Sequence, residues 1–125
     1  DLVRWQAATG LVFVLDHLAG LRAGLPGDHP AWAATQALAE GGAWIKLSGW
    51  YRLGDQQPYA ALQPAIERAV ALFGAHTVWG SDWLHTSFAA YQLPPYASQQ
   101  QPVQAVLGTA AWQATLTTQA EALYR

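Results

Sequence analysis

Three apolar runs in this sequence end alike, and their ends carry the residues that could do chemistry. "LVFVL" at 11 to 15 is followed by Asp16 and His17, "AWIKL" by Ser48, and "HTVWG" by Ser81 and Asp82. A carboxylate, an imidazole and a hydroxyl are suited to moving a proton to or from a reacting group. A polar residue just past a strand can also simply cap the next element, so each alone is ambiguous. If the three runs are neighbouring parallel strands, their carboxyl ends lie on one edge, and His17, Ser48 and Asp82 share a rim. That edge is where α/β enzymes place their sites. His85 either joins the rim or is a solvated loop residue. His29 and His76, in a connection and at a strand start, are expected to be structural.

The elements that must position this rim can be read from periodicity. The runs at 11 to 16, 43 to 48 and 77 to 81 read as short strands, and "LVFVL", continuous, branched and aromatic, fits one buried on both faces. Lys46 interrupts the second and needs an acidic partner or a route out of the sheet. Between them, "HPAWAATQALAEGG" has an early proline and a Gly-Gly stop. "PYAALQPAIERAVALFG" sets Leu62, Ile66, Ala69, Val70 and Phe73 on one helical face. "HTSFAAYQLPPYASQQ" is a long loop interrupted by Pro94-Pro95. From about 102 to 124 the pattern is helical, split near Gly108, and "DLVRWQAAT" reads as the tail of an earlier helix. Strands alternating with helices imply right-handed crossovers and a parallel sheet. The seven tryptophans are expected mainly in core and rim packing.

Composition narrows the function classes. The 125 residues, 52% of them hydrophobic, suffice for one compact domain with a core. Only 11% are charged and the formal net charge is -2, so no basic field attracts nucleic acid or anionic lipid. The apolar stretch around Asp16 and His17 is too short and polar to span a membrane. There are no cysteines, which excludes disulfides and thiolate metal sites, and nothing requires an oxidising compartment; a cytoplasmic location is expected. There is also no methionine, even at position 1, so the sequence reads as a piece of a longer chain.

The motifs "VLDHLAG", "IKLSGWYR" and "VWGSDWLH", in this order, resemble signatures of the amidohydrolase-related (amidohydrolase 2) family, as does the closing "QAEALYR". Leu84 stands where the family usually has proline, and Gln119-Ala120 where it has Asn-Pro. The resemblance implies a (β/α)8 barrel, which needs ~250 residues. Residues 1–125 would then be the C-terminal part of a single barrel domain, with three parallel strands and alternating helices, and its partner would be the missing N-terminal half. The family's H-x-H motif on the first strand is absent, and histidines 17, 29, 76 and 85 are too scattered to replace it.

The same resemblance implies catalytic roles for Asp82, as general base, and His17, polarising a carbonyl; both would be metal ligands in a metal-dependent member. The cofactor is either one divalent metal such as zinc or none. "SGWYR" looks most like the 2-pyrone-4,6-dicarboxylate lactonase branch, where an arginine after this segment holds a substrate carboxylate, matching Arg52. Ser48 and His85 complete the implied substrate contacts. The expected activity is hydrolysis of a lactone or other cyclic, carboxylate-bearing small molecule. The alternatives are zinc-dependent decarboxylation of an unsaturated acid on the same frame, or a non-catalytic α/β fragment. A half-barrel should also expose apolar surface at its open edges, with "LVFVL" the leading patch.

Overall fold

The computed structural model describes residues 1–85 and 88–125; Thr86 and Ser87, within the long loop anticipated above, lie outside the described residues. Three parallel strands form one sheet in chain order: β1 (Val14–Leu15), β2 (Trp44–Leu47) and β3 (Thr77–Trp79). Val14 pairs with Trp44 and Ile45 with Thr77, so β2 is hydrogen-bonded on both sides. Five α-helices accompany them among the described residues: α1 (Leu2–Thr9), α2 (Pro30–Glu40), α3 (Gln63–Phe73), α4 (Gln101–Leu116) and α5 (Thr118–Tyr124).

β1 is shorter than the expected 11 to 16. Its ladder to β2 holds only Val14 and Leu15, and no other strand among the described residues lies along its outer edge. Leu11 and Val12, placed in the strand from their composition, lie outside it, and both are 62% exposed, as expected of an open apolar edge. The helical run from 58 also starts later. Pro58 to Leu62 form turns, and α3 begins at Gln63 with Pro64 in its first turn, where a missing N–H costs nothing. Gly108, at φ 66° and ψ 173°, breaks α4 at the expected split.

Register fixes which side chains share a face, because neighbours alternate along a strand. Ile45 and Leu47 point to one side and are fully buried with Ile66, Ala69 and Phe73 of α3, Leu38 of α2 and Val103 of α4. Trp79 follows from β3, its ring edge-on to Trp112 of α4 at 5.5 Å. Lys46 and Ser48 take the opposite side with Gly80; a Cβ at Gly80 would meet Lys46 Cδ at 3.0 Å. The helices therefore cover one face of the sheet, and the polar residues of the motifs lie on the other. Four tryptophans (Trp32, Trp44, Trp50 and Trp112) are buried as expected, whereas Trp5 and Trp83 are exposed. No helix among the described residues is long and apolar enough to cross a membrane.

Candidate functional site

Each strand leads straight into a tight turn that carries the motif residues. After β1, residues His17–Gly20 form one 3-10 turn, with His17, Leu18 and Ala19 at φ of 49°, 51° and 55°. After β2, Gly49 at φ 64° reverses the chain into the Trp50–Arg52 turn. Only glycine fits there: a Cβ would lie 2.4 Å from His17 Nδ1. Trp50 anchors this turn, fully buried, its indole N–H donating to the Gln99 carbonyl at 2.8 Å. After β3, Asp82 and His85 again have positive φ, at 52° and 50°. Three of the site residues named from the sequence thus occupy backbone conformations that side chains rarely adopt, as often happens where a site over-determines its geometry.

The rim residues converge on one carboxylate oxygen. Tyr51 donates its hydroxyl to Asp82 Oδ2 at 2.5 Å, and Arg52 donates Nε–H to the same atom at 3.0 Å. His17 Nδ1 lies 3.9 Å from that oxygen and 3.1 Å from Ser48 Oγ. Strand spacing alone places the ends of β1 and β3 ~10 Å apart; the side chains lean inward and close that gap. Asp82 is held below the usual carboxylate range. Burial, the largest single influence, pushes it up, but the hydrogen bonds from Tyr51 and Arg52, with the electrostatics of His17 and Arg52, outweigh it. Burial and then the hydrogen bond to Asp82 push the Tyr51 phenol up to about 12. The hydrogen bond to Asp82 raises Arg52 further.

Beside this cluster lies a cleft of about 360 Å³ lined by Asp16, His17, Lys46, Ser48, Ser81, Asp82 and Trp83. Lys46, whose partner the sequence left open, pairs with Asp16 at 2.6 Å, and this hydrogen bond raises its pKa. A bigger concavity of about 680 Å³, between α1, α2 and β1, is lined mainly by apolar residues such as Leu2, Val12, Phe13, Leu15 and Leu38. It has packing character rather than chemical character.

The structure brings His17, Ser48, Arg52 and Asp82 together. His85 is not the solvated loop residue that its setting suggested: it is fully buried, with Tyr51 and Trp83 edge-on at 5.3 and 5.4 Å. Neither ring nitrogen has a hydrogen-bond partner among the described residues. His29 caps α2, accepting from Ala31 N–H at 3.2 Å, and His76 stacks on Trp44 at 4.7 Å, both structural as expected. Tyr51 is the member that residue type alone did not single out; its place between Ser48 and Arg52 in the quoted motif was the available signal.

The donor set does not by itself make a metal centre. Among the described residues no three His, Cys, Asp or Glu side chains gather to hold an ion. A catalytic zinc takes three protein ligands, whereas this rim offers His17 and Asp82. The oxygen of Asp82 nearest His17 already faces a guanidinium, which opposes a divalent cation at the same atom.

Comparison with known proteins agrees with this architecture. A crystal structure of an Agrobacterium tumefaciens protein without ligand superposes with a TM-score of 0.82 at 26% identity, over 98% of this chain and 44% of that one. A probable 2-pyrone-4,6-dicarboxylic acid hydrolase from Acinetobacter baumannii, crystallised with citric acid bound, gives 0.75 at 22% identity, over 98% and 46%. This chain therefore spans less than half the length of either structure. No curated protein sequence matches it. The fold is the expected one, part of a (β/α)8 barrel with three parallel strands and alternating helices. The amidohydrolase family model matches residues 5–125, and the chain belongs to the amidohydrolase family.

Proposed function

We propose that the whole protein, with residues 1–125 forming the C-terminal part of a single barrel domain, hydrolyses a lactone or related cyclic substrate bearing carboxylates. The observation that carries this reading is the convergence of Tyr51, Arg52 and His17 on Asp82 at the carboxyl ends of the strands. Asp82 is ionised at neutral pH, as a base must be before it accepts a proton; the hydrogen bonds from Tyr51 and Arg52 that lower its pKa orient it at some cost in basicity. In this reading Asp82 takes a proton from water as the hydroxide bonds to the lactone carbonyl carbon. The tetrahedral oxyanion collapses, the ring C–O bond breaks, and Asp82 returns the proton to the departing ring oxygen. If Ser48 donates to His17 Nδ1, the ring proton resides on Nε2, which would donate to the carbonyl oxygen as charge develops there.

Arg52 would also meet a substrate carboxylate, for which its planar guanidinium is well shaped. The name of the Acinetobacter neighbour supplies the substrate to try, and the citric acid in its crystal is itself a tricarboxylate. The chain alone would not turn over, because the rest of the barrel, its proposed partner, would have to close the pocket. The test is to follow loss of pyrone absorbance with the full-length protein and 2-pyrone-4,6-dicarboxylate. Arg52→Lys should raise KM about tenfold or more with kcat changing less, since a point charge replaces a fork. An unchanged KM would remove Arg52 from substrate binding, and no hydrolysis of this or any carboxylated lactone would sink the reading.

A further inference from the structure

We infer that Tyr51 is a positioning residue for this reaction: it locks the Asp82 carboxylate so that Oδ1, not Oδ2, is the oxygen presented to the attacking water. This rests on the reading of Asp82 as the base and adds to it a residue and an atom.

The geometry is specific. Two donors, the Tyr51 hydroxyl and Arg52 Nε–H, converge on Oδ2, while none among the described residues donates to Oδ1. An aspartate carboxylate has a broad torsional preference about its last bond, so two fixed donors on one oxygen select one orientation. The remaining oxygen then keeps its lone pairs available.

Tyr51 is itself held from several sides. The turn that carries it is pinned by the buried Trp50 indole on the Gln99 carbonyl. Its ring sits edge-on to His85 at 5.3 Å and to Phe88 at 4.9 Å, and the Arg52 guanidinium carbon lies 5.0 Å from its centroid. A phenol has only two side-chain torsions to fix, and these contacts fix them, so the hydroxyl is a rigid stop for the carboxylate. The buried His85 thereby finds a use without touching the reacting atoms: it is part of the wall that holds the Tyr51 ring.

Tyr51→Phe removes the hydroxyl and keeps the ring, so the packing against His85 and Phe88 survives. In the full-length protein, with 2-pyrone-4,6-dicarboxylate as substrate, kcat should fall roughly tenfold to a hundredfold with KM changing less than about threefold. A crystal structure of the same variant should show the Asp82 carboxylate turned or in more than one orientation. This readout needs no turnover. An unmoved carboxylate overturns the inference, as does a kcat per folded site within about twofold of wild type. Asp82→Asn, assayed alongside, separates the two levels: if it stays active, the base assignment fails; if it is dead while Tyr51→Phe is normal, only the positioning role fails.

Discussion

Two regions of this molecule handle their unsatisfied groups in opposite ways. At the rim above β2 and β3, charged side chains meet partners within the chain: Asp82 has Arg52 and Tyr51, and Lys46 has Asp16. Along the outer side of β1, Leu11 and Val12 stand in solvent beside a groove lined by Phe13, Val14 and Leu15. The rim is locally determined. Its geometry comes from the tight turns that follow three adjacent strands, a glycine that only just clears His17, short hydrogen bonds, and the Trp50 anchor on the Gln99 carbonyl. The β1 edge is open among the described residues: β1 pairs on one side only, and the apolar residues before it face solvent. The contrast teaches that half a barrel can carry an organised constellation of side chains and still lack the surface that would shut water out.

The comparison breaks most sharply at Gly49. Gly49→Ala would force a Cβ to 2.4 Å from His17 Nδ1 at a positive φ, so the rim should lose its order while the edge is untouched. We expect a loss of about 1–3 kcal/mol, read by urea denaturation of the full-length protein, together with a fall in kcat. Wild-type stability and activity would mean that His17 does not sit against this turn.

The edge is tested by its hydrophobicity. The isolated 125-residue chain should bind an environment-sensitive hydrophobic dye, and Leu11→Ser with Val12→Ser should reduce that fluorescence severalfold at little cost in stability. The full-length protein should be nearly silent in the same assay. A dye-silent isolated chain would mean that the β1 side is already covered.

The smallest effect is expected at the Lys46–Asp16 pair. Asp16 is more than half exposed, so Asp16→Asn should cost no more than about 1 kcal/mol in thermal or urea unfolding. A larger loss would mean that this pair is part of the frame that holds the rim.

Much of this was legible in the sequence, for identifiable reasons. The strands and their order follow from short branched runs separated by helical ones, and the shared rim follows from parallel pairing. The faces of α3 were fixed by the spacing of Ile66, Ala69 and Phe73. What was not legible depends on remote partners. The length of β1 is set by what pairs with it, which composition does not encode, so Leu11 and Val12 read as strand and are not. His85 is buried by Tyr51 and Trp83, whose directions are decided by tight turns rather than by any periodicity. For the same reason Tyr51 was not singled out: in a single 3-10 turn neither the alternation of a strand nor the stripe of a helix says where a side chain points. Lys46 announced the need for a partner, but only register with β1 shows that Asp16 supplies it.

The central claim is that Asp82 is the base on which the rim is built, and steady-state kinetics of Asp82→Asn in the full-length protein tests it most directly. The amide keeps the shape and can still accept from Tyr51 and Arg52 through its oxygen, but it cannot take a proton from water. With 2-pyrone-4,6-dicarboxylate as substrate the account predicts a fall in kcat of about 10²–10⁴-fold with KM changed little. A kcat near the wild-type value would show that Asp82 only organises the turn after β3, and the base assignment would be wrong.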